Sequence, residues 1–490
     1  MNRQNFAERK VGINHSRAKV DHWEKAKKLF EQFFITVQYD VKLACPALAL
    51  RLWRRTGGRE RTMASPGWFR RLLFISSALL FISSALVWAQ DESGAQTPGT
   101  SPADGGLQGQ QKKKTPWNVW ENKAFSVIFI FTPVVDIAGF AQDANSKEQV
   151  GDQPTKVEWR AERLLFFGKL NFERPWGFMF GWNFNGFEAA QGNRFSNLDA
   201  RLDIPLFNLA TLKIGRQKLG LSQEWLMPGV DMVFMERSTT DLAFVPQRDA
   251  GVMLTNTFAD KRGLWSAAWF NDNDLSFQAT SNQYTGRISY LPVERDQGQT
   301  IVQVAAGLYY REAQNGQLRF RARPEINEAS YFLDTKNFPA NHSTTTQLEA
   351  TVQKGRSMIW GALDLTPVAA PKAHNPFFWG GYVAASRVLA GEPRHFNRNS
   401  GYYTLVKPPR YSMFRGWGGW EVGMRYTYTD LSSGTIDGGR MGRWTTALSW
   451  YPAGGWRLEA DCGWNFLVRG GITGYTLGLS GRIQYTIGGL

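Results

Sequence analysis

Near the end of the chain, Trp420-Glu-Val-Gly-Met-Arg-Tyr-Thr-Tyr-Thr429 alternates without a break: Trp420, Val422, Met424, Tyr426 and Tyr428 share one parity, and Glu421, Gly423, Arg425, Thr427 and Thr429 the other. Successive side chains of a β-strand point to opposite faces, so this stretch has one apolar and one polar face. The next three segments repeat the pattern. Trp444, Leu448 and Trp450 oppose Arg443, Thr445 and Ser449; Trp456, Leu458, Trp464 and Phe466 oppose Arg457, Glu459, Asp461 and Asn465; Tyr475, Leu477, Leu479, Ile483 and Tyr485 oppose Thr476, Ser480, Arg482 and Gln484. Within each segment every charge falls on one parity. A soluble sandwich would show the same alternation, so the strand ends decide. Trp444, Trp450, Tyr451, Trp456, Tyr475 and Tyr485 cluster there, as aromatic girdles do at the two edges of a membrane-spanning apolar band.

Working upstream by the same rule predicts strands near 125–140, 156–172, 177–187, 195–206, 210–218, 249–258, 263–271 and 280–291. Further strands follow near 300–312, 343–355, 356–370, 377–391, 416–430, 442–452, 456–468 and 474–487. Sixteen is an even number, as an antiparallel barrel with both termini on the periplasmic side requires. The expectation is an all-β transmembrane antiparallel β-barrel over residues 123–490, with short turns facing the periplasm and long loops, such as 313–342 and 392–415, facing outside. Pro133 falls inside the first strand, where it removes a ladder donor.

The composition agrees. Of 490 residues, 49 are Gly, 20 Trp and 33 Phe, only 20% are charged, and the mean hydropathy of −0.36 excludes a bundle of apolar transmembrane helices. The formal charge of +15 suggests a nucleic-acid partner until it is located. Residues 1–62 carry +8 and Arg70 and Arg71 add two, leaving +5 for residues 90–490. No nucleic-acid partner is expected, and Cys45 and Cys462 offer no disulfide framework.

Export is written at Met63–Ala89. Arg70-Arg71 precede an apolar run from Leu72 to Val87, and Ala89 supplies the small residue before a cut. These are the parts of a secretory signal peptide. Such a signal is read at an N-terminus, so residues 1–62 are expected to be a mis-called extension, with Met63 the initiator. Residues 90–122, rich in Gly, Ser, Pro and Gln with Lys112-Lys113-Lys114 near the end, read as a flexible periplasmic linker.

The polar parity supplies a lining of both signs, including Asn183, Asn185, Asp199, Arg201, Asp203, Gln303, Arg311, Arg425, Glu459, Asp461 and Arg482. A barrel of sixteen strands lined this way is wide enough for water. Residues 219–248 are too long for a hairpin turn, and long connections of this kind are usually functional. Catalysis finds little support. Of five His, two precede the signal peptide and His342, His374 and His395 fall in loops, with no nucleophile, base and orienting group in register. No enzyme activity, cofactor or metal site is expected. The alternative to a pore is a plugged barrel whose outer loops bind ligands through arginines such as Arg319 and Arg398.

The long connection carries Gly215-x-x-Lys218…Ser222-x-Glu224, then Phe234-x-Glu236-Arg237-Ser238, then Arg248-x-x-Gly251. These stretches resemble the phosphate-selective porin O and P family, and Ser386-Arg-Val…Trp420-Glu and Trp444–Asn465 fit it as well. The resemblance spans roughly residues 123–490. It implies a homotrimeric outer-membrane porin of a Gram-negative-type bacterium, embedded in outer-membrane lipid, whose long loop folds inward and whose basic residues pass small anionic solutes, phosphate or polyphosphate among them. It gives Lys218, Arg237 and Arg248 a place at the narrowing, with Arg160, Arg201, Arg425 and Arg482 along the path and Glu224 and Glu236 fixing the loop. An equal reading of Glu236-Arg237 is that it pins the loop to the wall. Two departures favour general anion diffusion over phosphate specificity: Arg160 is followed by Ala161 where phosphate-specific members have adjacent arginines, and Gln223 stands near their central loop lysine. The sequence also ends in Gly-Gly-Leu490 instead of the aromatic residue of the family's usual insertion signal.

Overall fold

The computed structural model describes residues 116–184, 195–271, 281–407, 418–452 and 454–488. The extension, the signal peptide, most of the linker and Asn185 lie outside the described residues. Among the described residues, sixteen long strands close into one antiparallel barrel, and a short strand, Val119–Glu121, is added to the same sheet. In order the long strands are β1 (Phe125–Gln142), β2 (Lys156–Leu170), β3 (Trp176–Phe184), β4 (Phe195–Leu206), β5 (Ala210–Lys218), β6 (Arg248–Phe258), β7 (Gly263–Asn271) and β8 (Asn282–Arg295). The second half comprises β9 (Thr300–Glu312), β10 (His342–Lys354), β11 (Ser357–Ala369), β12 (Phe377–Ala390), β13 (Gly419–Ser433), β14 (Ile436–Tyr451), β15 (Trp456–Arg469) and β16 (Ile472–Tyr485). Each strand pairs with its neighbour in sequence, and β1 closes the ring on β16 through Val134↔Gln484 to Gln142↔Thr476.

Closure sets the two faces. Across β1 and β16, Asp136 lies opposite Arg482, and both are buried inside the barrel. Arg425, Thr427 and Thr429 on β13 are at most 1% exposed, whereas Val304, Leu308, Val352, Ile359 and Val383 stand outward with 44–64% of their surface open. Outward exposure of that size on consecutive strands is the lipid-facing band of a spanning barrel. Aromatic residues meet across it at Trp420–Trp450, Tyr426–Trp444 and Trp456–Tyr485, with ring centroids 5.5, 4.7 and 4.5 Å apart. Tyr451 departs from the expected girdle. It points inward, 1% exposed, and its hydroxyl donates to Glu421.

Pro133 does not interrupt β1, because it sits beside the point, between Val134 and Val135, where the register against β2 shifts by a bulge. The last part of the expected linker is structured as well. Val119–Glu121 pair with Ile128–Ser126 at the start of β1, and Asn118 Nδ2 donates to the carbonyls of Phe129 and Gly488. Both ends of the barrel domain therefore meet at one rim, which is the periplasmic one by the rule of short turns.

Two expectations about connections change. The connection after β12, described over residues 391–407, leaves an even-numbered strand and so lies at the periplasmic end with the short turns, not outside. Conversely β14 begins at Ile436, six residues before the expected 442, so β13 and β14 run on into an outer hairpin closed by Gly434-Thr435. Gly434 takes φ 61°, the left-handed conformation such two-residue turns require.

Candidate functional site: a basic chamber beneath an inward-folded loop

Residues 219–247 leave β5 and fold into the lumen, where two short helices stiffen them. Ser222 Oγ caps Gln223–Leu226 by accepting from Trp225 N, and Ser238 Oγ caps Thr239–Phe244 by accepting from Asp241 N. The two helices are tied together, since Ser222 Oγ donates to Asp241 Oδ2 at 2.6 Å and Ser238 N donates to Glu224 Oε2 at 2.9 Å. Capping satisfies the first amides of each helix, which would otherwise be buried without partners.

Arginines of the wall hold the loop in place. Glu236 accepts two bonds from Arg160, at 2.9 and 3.2 Å, and one from Arg482 at 3.0 Å, while Arg482 also forks onto Asp136 at 2.7 Å for each bond. Arg425 donates to Glu224 at 3.0 Å, to the Glu236 carbonyl at 2.9 Å and to Glu325 at 2.7 Å. Forked arginine–carboxylate pairs fix direction as well as distance. Arg160, Arg425 and Arg482, with Glu224 and Glu236, thus converge on the loop and none of the five lines the open cavity.

Glu325 has no counterpart in the sequence reading. It is carried in from the outer connection 313–341 and accepts from Thr239 N, Thr427, Thr445, Arg425 and Arg443. An acidic residue in a loop carries no periodic signal, so nothing in the sequence distinguishes it from a solvated one. The rest of that connection packs Phe320, Ile326, Phe332, Leu333 and Phe338 against Phe244 of the loop and Phe378 and Leu431 of the wall. From the periplasmic end, Arg394 reaches up to do the same work. It forks onto Glu421 at 2.8 and 2.7 Å and donates to the carbonyls of Asp231, Met232 and Thr404.

What remains open is a cavity of about 1590 Å³ on the β1–β7 side, running from the periplasmic rim at Trp117 and Gly455 up to the loop at Leu226–Asp231. Ten Lys and Arg side chains line it against three Asp and no Glu. Lys218, Arg237, Arg248 and Arg201 are among the ten. Lys218 Nζ donates to the carbonyls of Leu226 and Met227 at 3.1 and 3.0 Å. Arg237 donates to the carbonyls of Glu224 and Met227 and lies 3.9 Å over the Trp225 ring. Arg248 pairs with Asp199 at 3.1 Å, and Arg201 with Asp203 at 2.9 Å.

Arg163 differs from these. No carboxylate or carbonyl receives its guanidinium among the described residues, and its charged neighbours are Arg160, Arg237, Arg248 and Arg482. It faces the loop at Gly229, where a Cβ would stand 3.1 Å from its Nη1. Strand parity contained the signal that finds it, since Arg163, Leu165, Phe167 and Lys169 share the lumen face of β2.

The sequence profile described as phosphate-selective porin O and P matches residues 135–467. The chain belongs to this family. It is an outer-membrane porin, a channel protein of the Gram-negative outer membrane. An uncharacterized protein of Caulobacter vibrioides is 27% identical over 252 residues, which cover 47% of this chain and 48% of that one, so the match spans about half the relative's length. Among solved structures, an anion-selective porin from Comamonas acidovorans matches with a TM-score of 0.47 and 12% identity over 74% of this chain and all of that one. OmpT of Vibrio cholerae matches at 0.48 and 10%, over 75% and 99%.

Proposed function

We propose that the porin passes small anionic solutes by passive diffusion through the basic chamber, and that it does so without strict phosphate specificity. The observation that carries this reading is the ratio of ten basic to three acidic side chains around one cavity of about 1590 Å³. A cleft lined by one sign of charge between low-dielectric walls concentrates the opposite ion, so a small excess at the narrowing outweighs the mild charge of the whole body. Lys218, Arg237, Arg248, Arg201 and Arg163 form the path in this reading. Arg160, Arg425 and Arg482 act one step back, holding the loop against which the path is drawn. The homotrimer implied by the resemblance is kept as part of the proposal. Its support in this chain is the outward aromatic surface of β1–β3, where Phe129, Phe166 and Trp182 meet ring to ring at 5.4 and 6.1 Å.

The test is the zero-current potential of single channels in a planar bilayer across a KCl gradient. An anion-preferring sign is expected, and a cation-preferring sign rejects the reading.

A further inference from the structure

The lumen of a diffusion porin is usually polar on every strand, yet part of this chamber is not. On the inner face of β1–β3, Ile128 pairs with Phe167 and Phe167 with Met179, and one rung along Ile130 pairs with Leu165 and Leu165 with Gly181. All five apolar side chains line the cavity and are half-buried. Side chains opposite each other on paired strands lie about 5 Å apart, so the two rungs form one continuous apolar surface. It is not a lipid face, because Arg163 and Lys169 continue the same parity of β2 on either side of it.

Cations frame that surface. Arg163 stands two residues beyond Leu165, roughly 7 Å along the strand, and Arg201 is the partner of Met179 on the next strand. Burying apolar area from water is favourable in proportion to that area, and a guanidinium without a partner is a ready site for an oxyanion. Neither feature alone selects a solute. Together they place an apolar wall and an unpaired charge within the length of one small aromatic acid.

We propose that the chamber binds organic anions with an apolar body, such as aryl phosphonates or carboxylates, the head group at Arg163 and the body against Leu165, Phe167 and Ile130. The proposal rests on the reading of the chamber as an anion path. An inorganic anion uses only the charged half of this site. Replacing methyl by phenyl on one phosphonate adds about 60 Å² of buried apolar surface, which at about 25 cal/mol per Å² corresponds to about ten-fold in affinity.

The experiment is block of single-channel chloride current by phenylphosphonate and by methylphosphonate, probes of the same head group, added from the periplasmic side. Half-block by phenylphosphonate is expected at about ten-fold lower concentration. In Leu165→Asn and in Phe167→Asn the ratio between the two should fall toward one, and in Arg163→Gln both blockers should weaken together. A wild-type channel that prefers chloride over potassium but is blocked equally by the two phosphonates overturns this inference and leaves the anion path standing. A channel that prefers potassium overturns both. The wild-type comparison stands by itself if a variant fails to assemble.

Discussion

Glu325, brought down from the outer connection, lies 2.7 Å from Arg425, and the other terminal nitrogen of Arg425 holds Glu224 of the inward-folded loop at 3.0 Å. One guanidinium, 1% exposed, therefore joins the two longest described connections to the barrel wall. Each partner is also fixed elsewhere, Glu224 by Ser238 N and Glu325 by Arg443. The constriction is held as a network, and a buried network is costly to break at one member.

Arg425→Leu tests this. The substitution leaves two buried carboxylates short of their shared donor, and breaking a buried pair from one side costs about 3–5 kcal/mol. The expected outcome is a lower midpoint of thermal unfolding in detergent together with larger current noise. Unchanged noise in a folded Arg425→Leu channel would show that the loop does not depend on this contact.

Arg394→Ala addresses the opposite face of the same loop. Arg394 links the periplasmic connection to Glu421 and to the carbonyls of Asp231 and Met232, and it is 3% exposed. Its loss frees residues 391–407 from beneath the loop and widens the lower chamber. Single-channel conductance should rise, and trypsin should cut near Arg398 or Lys407 in the variant before it does so in the wild type.

How much of this was legible is best seen strand by strand. All sixteen strands fall within a few residues of their expected positions except β14, because a lumen face and a lipid face impose a period of two that survives in any single sequence. The faces of β13–β16 were readable to the residue, apart from Tyr451. The ends of the connections were not. Residues 391–407 and 313–341 look alike in composition, yet one rises from the periplasm and the other descends from outside, and only the count of strands before them decides which. For the arginines, Arg425 and Arg482 read as lumen-facing from parity alone. What parity omits is whether water or a loop occupies the lumen in front of them, and the carboxylates that answer this, Glu224, Glu236 and Glu325, come from connections with no period to read.

A pH dependence follows from Glu328 in the outer connection. Burial, with Asp136 and Glu158 nearby, pushes its carboxyl up to about 8 from an ordinary 4.5. A folded-state value above the unfolded one means that the stabilisation is complete below about 4.5 and is lost as pH rises through 8. The connection should therefore loosen in mildly alkaline solution. Limited proteolysis between residues 313 and 341 is expected to accelerate from pH 7 to 9 in the wild type, and Glu328→Gln should remove that acceleration.

Charge reversal at the narrowing is the decisive measurement, and the structure selects the residue. Lys218 is the natural choice from the sequence, but its ammonium donates to the carbonyls of Leu226 and Met227, so a carboxylate there faces two carbonyl oxygens and pushes the loop away. Any change in Lys218→Glu mixes field with geometry. Arg163 lines the same cavity, faces the loop at Gly229, and donates to no described carboxylate or carbonyl. Arg163→Glu therefore alters the field by two charges without removing a structural bond, and a new carboxylate there meets Arg160, Arg237 and Arg248 as attractive neighbours. At about 0.01 M salt the screening length is about 30 Å, and at about 0.1 M it falls to about 10 Å. The zero-current potential of Arg163→Glu should move toward cation preference at low salt and converge on the wild-type value as salt rises. An Arg163→Glu channel that assembles normally and keeps the wild-type potential at low salt would mean that ions do not pass this side chain, and the path would have to be redrawn along another wall.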